Sequence, residues 1–177
     1  MKKIGLVTVA LSVLAAVPAF AAGSANTNVG VSASIANNCT ISNTSVALLA
    51  YDPIVANLSS PLNGSGTVTI TCTKGAVTNV SIGLGTHASA SQRRMSDGAG
   101  VPSFMNYELY QPPDSTPGSA CSYAGPVIWG TAGVNLFTPA AAPSKAARTY
   151  NICGQAAAGQ DLPAGSFTDT VAAVVNF

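Results

Sequence analysis

Charge is what this chain has least of. Asp, Glu, Lys and Arg make up 7% of its 177 residues, against roughly 25% in ordinary soluble domains. Seven basic residues against six acidic ones create no positive field, so nucleic acid is not expected as a partner. Histidine occurs once, as His87. A general-base or nucleophilic site needs a partner constellation, and Ser89, Ser91 and Asp97 nearby do not supply one. The scattered acids show no carboxylate pair, and no glycine-rich phosphate loop follows a strand. The chain is therefore read as a non-enzyme, with no catalytic residue, metal or cofactor expected. No C-x-x-C pair is present either, which argues against redox or zinc chemistry.

Long apolar runs are also missing. The one candidate, Ile4 to Val17, falls short of the ~20 residues that a membrane-spanning helix needs. It follows Lys2 and Lys3 and ends in Pro18 and Ala19-Phe20-Ala21, the layout of a secretory signal peptide. Residues 1–21 are read as that signal, with cleavage after Ala21 or Ala22, and no membrane-spanning segment is expected in the mature chain. From there on Lys74, Arg93, Arg94, Lys145 and Arg148 stand against the acids. A surface so poor in charge does little to oppose association.

What the chain does have is an even set of cysteines: Cys39, Cys72, Cys121 and Cys153. In an exported protein these read as two disulfides. Three pairings are possible, and we favour Cys39–Cys72 with Cys121–Cys153. Each closes a loop worth roughly 3 to 4 kcal/mol in the chain-entropy model.

Strand alternation dominates the rest. Val68, Ile70 and Cys72 share one face and Thr67, Thr69, Thr71 and Thr73 the other, as in a half-buried antiparallel strand. Val80, Ile82 and Leu84 repeat the pattern, Cys39 and Ile41 start a strand after Asn37-Asn38, and Phe167, Val171, Ala173, Val175 and Phe177 share one face of a final strand. Turn signals at Pro61-Leu62-Asn63-Gly64, Asp97-Gly98, Pro112-Pro113-Asp114, Pro117-Gly118 and Pro163-Ala164-Gly165 separate short strands. Pro143 breaks the Ala-rich stretch 139–147, which is read as a loop. Arg93-Arg94 is read as a solvated strand edge with one charge outward. The sum is an all-β domain, a two-sheet sandwich of immunoglobulin-like topology, although two cysteines flanking a tryptophan in the antibody manner are absent.

Residues 22–36 stand apart. Val29, Val31, Ala33 and Ile35 alternate with Gly30, Ser32 and Ser34 near the start of the mature chain, a strand in search of a sheet. It is either an ordinary first strand of the same domain or one that adds to another molecule. Burying Val29, Val31 and Ile35 returns about 5 to 8 kcal/mol. Ordering some ten residues of backbone costs on the order of 1 to 2 kcal/mol each. Side-chain burial alone does not hold such a strand, so main-chain pairing along a sheet edge must contribute.

Several short motifs occur in order: Asn38-Cys39-Thr40-Ile41, Val68-Thr69-Ile70-Thr71-Cys72, Asn106-Tyr107-Glu108-Leu109-Tyr110, Trp129-Gly130, Gly154-Gln155, and Gly165-Ser166-Phe167-Thr168-Asp169-Thr170 leading to Phe177. Together they resemble the spore coat protein U domain family, which includes subunits of archaic chaperone–usher pili. The resemblance covers nearly all of the mature chain. It implies an incomplete immunoglobulin-like β-sandwich over 37–177, completed by a donor strand from a neighbouring subunit. It further implies export through the periplasm, a periplasmic chaperone and an outer-membrane usher as partners, and polymerisation by donor-strand exchange with identical or related pilin subunits. The product would be an extracellular, cell-surface pilus supporting adhesion and biofilm formation. Carried onto this chain, Val29, Val31, Ala33 and Ile35 would be donor side chains. The strand bearing Phe167, Val171, Ala173, Val175 and Phe177 would edge the acceptor groove, with the Phe177 carboxylate recognised by the chaperone. Tyr107, Tyr110 and Trp129 would be packing residues. The alternative is a monomeric exported β-sandwich that binds a glycan or surface ligand.

Overall fold

The computed structural model describes residues 22–177, so the signal peptide expected over 1–21 lies outside the described residues. The chain divides between Ser34 and Ile35. Residues 22–34, taken by themselves, form no helix or strand, and Val29 and Val31 are exposed.

From Ile35 onward the described residues are all-β apart from a single 3-10 turn at Gly133–Asn135. The strands are β1 (Cys39–Ala47), β2 (Leu62–Cys72), β3 (Asn79–Ile82), β4 (Arg93–Ser96), β5 (Phe104–Tyr110), β6 (Arg148–Ala156) and β7 (Ala173–Asn176). A five-stranded sheet runs β1-β2-β6-β5-β4, and a two-stranded sheet pairs β3 with β7. Every strand pair is antiparallel. The Ala-rich stretch 139–147 contains no helix.

The period-two pattern explains which faces meet. On β2, Val68, Ile70 and Cys72 are buried while Thr67, Thr69 and Thr71 face outward. Thr69 Oγ1 lies 2.8 Å from Thr149 Oγ1 on β6, and Thr67 Oγ1 lies 3.0 Å from Thr44 Oγ1 on β1. Against this inner face sit Val80 and Ile82 of β3, Met105, Tyr107 and Leu109 of β5, and Tyr150 and Ile152 of β6, in one apolar core. Trp129 and Phe137, from the long β5–β6 connection, fill its centre with ring centroids 4.9 Å apart. The indole donates to the Val80 carbonyl at 2.8 Å, which satisfies the one polar atom that burial would otherwise strand. Burying a side chain of this size contributes about 1.5 to 3 kcal/mol.

Two local expectations are corrected. Asn63-Gly64, read as part of a turn, lies inside β2. A Cβ on Gly64 would sit 2.0 Å from the Ala47 carbonyl oxygen, so glycine is required there by close approach of β1, whose register shifts between Thr44 and Ala47. Arg93-Arg94 do face opposite ways, yet Arg93 points into the molecule and is fully buried. Its guanidinium donates to the carbonyls of Ile82, Gly83 and Trp129 and pairs with Glu108, stitching the larger sheet to the smaller.

The structure joins Cys39 to Cys72 and Cys121 to Cys153. The first bond links directly opposed residues of β1 and β2. The second ties the β5–β6 connection to the outer side of β6.

Candidate functional site

The chain's final stretch carries one pattern through. From Phe167 to Asn176 side chains alternate between half-buried and exposed, with Phe167, Asp169, Val171, Ala173 and Val175 inward. Its first part leans on β4, where Thr168 and Ser96 exchange both backbone hydrogen bonds at 2.9 Å. It then crosses to the smaller sheet: Thr86 N–H donates to the Thr170 carbonyl, Gly83 N–H donates to the Ala172 carbonyl, and β7 pairs with β3.

Which way the backbone of β7 faces follows from β3. The Val80 and Ile82 amides donate to Phe137 and Gly130, on the side of β3 away from β7. Ser81, opposite Val174, therefore faces β7. Because backbone polar groups alternate sides along a strand, Val171, Ala173 and Val175 turn their N–H and C=O groups to the outer edge of β7. Among the described residues no strand pairs with that edge. The residues with outward-facing backbone are thus the same ones whose side chains face the core.

A groove of about 490 Å³ runs beside this edge. One wall is Phe167 to Val171 with Ala173. The other is Asn43 to Val46 with Leu48, at the outer edge of the five-stranded sheet. Its floor is formed by the core residues Ile82, Tyr107, Leu109 and Ile152, with half-buried Met95 packed against them. A second hollow of about 580 Å³ shares Leu48, Met95 and Phe167 with the first and continues past Tyr51, Ile54, Leu62, Met105 and Leu162. Among the described residues, two unpaired strand edges thus face each other across an opening onto the hydrophobic core.

Asp169 is the one charged residue in the inward row. Its Oδ2 accepts from the Tyr107 hydroxyl at 2.7 Å. Its Oδ1 accepts from the Thr86 amide at 2.9 Å, the Thr86 hydroxyl at 2.8 Å and the Thr170 amide at 2.9 Å. His87 Nδ1 lies 3.1 Å from the same oxygen. Burial alone would raise the carboxyl, but the hydrogen bonds from Tyr107, Thr86 and the Thr170 amide outweigh it and hold Asp169 below its ordinary value. Burial and the Asp169 partner push the Tyr107 phenol up. Gly85 makes the arrangement possible: its φ is +95°, and a Cβ there would lie 1.9 Å from Asp169 Oδ2.

Other residues singled out by sequence take structural places. Leu109 and Trp129 are buried, Tyr110 is half-buried, and Gly130 lies against Asn135. Asn106 is tied by its backbone to the Gln160 side chain. Gly154 leaves room for Val46, whose Cγ1 would be 2.4 Å from an added Cβ. Phe177 lies past the end of β7 and is 54% exposed. Sequence reasoning missed Val46, Leu48 and Met95 as groove residues and the partnership of His87 with Asp169. Only alternation around Val46 and Leu48 hinted at the former.

Among solved structures, similarity is found to a tip adhesion subunit in its chaperone pre-assembly complex, from the archaic chaperone–usher Csu pili of Acinetobacter baumannii. The TM-score is 0.48 and the identity 23%, over 81% of this chain and 40% of that one, so less than half of that chain is spanned. The minor tip subunit of the E. coli Hda pilus matches with a TM-score of 0.35 and 14% identity, over 78% of this chain and 79% of that one. Protein U of Myxococcus xanthus is 28% identical over 188 residues, which cover 98% of this chain and 96% of that protein. The model of the Spore Coat Protein U domain matches residues 25–174, and the chain belongs to that family.

Proposed function

We propose that the protein is a structural subunit of an extracellular fibre of the chaperone–usher kind and polymerises by donor-strand exchange. The observation that carries this reading is the groove itself, an opening onto the core between two strand edges that lack partners. An extended segment laid there would gain backbone hydrogen bonds from Val171, Ala173 and Val175 and bury alternate side chains on Met95, Leu109 and Ile152, the general mode of β-strand addition. The chain's own segment with Val29, Val31, Ala33 and Ile35 has that alternation. In this reading a neighbouring copy or related subunit supplies it, a periplasmic chaperone fills the groove beforehand, and an outer-membrane usher performs the exchange. The protein then resides in a surface pilus that serves adhesion and biofilm formation. It acts as a building block, not as a catalyst.

Deleting the mature chain through Ile35 tests the assignment. The shortened subunit should accept a strand and not give one, so mixed with full-length protein and its secretion machinery it should terminate fibres and shorten them in electron micrographs. Fibres of normal length with the shortened subunit in their interior would sink it.

A further inference from the structure

The inward row Phe167, Asp169, Val171, Ala173, Val175 has one polar interruption, and the strand proposed to enter the groove has one small member, Ala33, among three branched apolar residues. We infer that Asp169 is a positioning residue that sets the register of the incoming strand, by requiring a small side chain opposite it. This rests on the strand-acceptance reading and adds to it a specific alignment.

Every strand pair in the body is antiparallel, and the incoming strand is taken to run the same way along β7. Apolar residues must face the core, so permitted registers differ by two residues; a shift of one would turn the whole apolar row outward. Placing Ala33 opposite Asp169 sets Ile35 opposite Phe167, Val31 opposite Val171 and Val29 opposite Ala173. Ile35 then falls where the two hollows meet, since Phe167 lines both. Sliding by two residues brings Val31 or Ile35 against Asp169 instead.

At that position the floor is the Asp169 carboxylate and the Tyr107 hydroxyl, locked together at 2.7 Å. Asp169 cannot swing aside. Gly85 already lies against Oδ2 with no room for a Cβ, and Thr86, His87 and Thr170 hold Oδ1. A methyl group packs over such a floor with little loss. A branched chain must lift the strand from its backbone partners or press on a fully engaged carboxylate, and overpacking of this kind is destabilising. The shape of the row thus selects against slipped strands as well as for the aligned one.

The test uses the full mature chain and peptides spanning residues 24–38, followed by fluorescence anisotropy. The unchanged peptide should bind. Ser32→Thr in the peptide, on the face turned away from the groove, should change affinity by less than about threefold, and Ala33→Leu should weaken it by at least about tenfold. An Asp169→Ala chain that retains the far-ultraviolet spectrum should readmit the Ala33→Leu peptide, which a merely structural role for Asp169 would not produce. Equal binding of the Ala33→Leu and unchanged peptides overturns the register. Failure of the unchanged peptide to bind overturns the strand-acceptance reading itself, so the two failures are distinguishable. The peptide series on the unmodified chain decides the matter even if Asp169→Ala does not fold.

Discussion

Taking a carboxylate out of water costs several kcal/mol unless its lone pairs are met, and Asp169 meets them with hydroxyl, amide and imidazole donors drawn from β5, the β3–β4 connection and its own successor. Its folded-state acidity is strengthened, so the sign of its pH effect is set. The stabilisation is fully present above the ordinary aspartate value of 3.8 and is lost as pH falls through the lower folded value. Asp169→Asn should therefore lower the urea midpoint at neutral pH, by the equivalent of about 1 to 3 kcal/mol. The difference from the parent should shrink once pH drops below about 4. An undiminished difference at the lowest pH would mean that the carboxylate charge is not what stabilises the crossing. Arg93 carries a lesson about legibility. Its alternation with Arg94 was readable, but parity alone does not tell which arginine enters the core. That depends on Glu108 and on the carbonyls of Ile82, Gly83 and Trp129, which come together only in the fold. His87 is similar: the aspartate beside it in sequence, Asp97, is not its partner, while Asp169, 82 residues away, is.

At the scale of elements, period-two patterning made β2, β3 and the run from Phe167 to Val175 legible, because one face of each meets the core and the other meets water, whereas Phe177, read onto the same face, lies past the end of β7 and is exposed. Where the backbone serves a neighbouring strand instead of a turn, the same signals misled. Asn63-Gly64 carries a hairpin signature, yet the glycine is there so that β1 can cross close above it. The groove was legible only as one wall. Its other wall, Asn43 to Leu48, spans the place where β1 shifts register between Thr44 and Ala47, a backbone irregularity that no side-chain pattern announces. The Cys39–Cys72 bond anchors the opposite end of β1 to β2 and so restrains that wall. Replacing both cysteines by serine should cost roughly 2 to 4 kcal/mol in chemical denaturation. Amide hydrogen exchange should accelerate first in β1, before β2 and β6. Uniform acceleration across the larger sheet would instead show that the bond supports the domain as a whole.

For the whole molecule, the two edges flanking the groove have a thermodynamic consequence. A sandwich open between β1 and β7 leaves core residues such as Ile82 and Leu109 lining a hollow, and an unpaired edge is a site for pairing with another chain. With 7% charged residues, there is little electrostatic repulsion to keep copies apart. If a strand from a second copy fills this opening, stability must depend on protein concentration, since whatever binds only the folded state stabilises it by mass action, by about 2.7 kcal/mol at a partner concentration a hundred times the dissociation constant. The melting temperature of the purified protein should rise with protein concentration across a dilution series. Val31→Asp with Ile35→Asp should remove that rise without altering the melting temperature at the most dilute end, because both positions are exposed in the single chain and only their burial in a neighbour is penalised. A concentration-independent melting temperature in the parent would mean that the fold is complete without a second copy, and would favour the monomeric ligand-binding alternative.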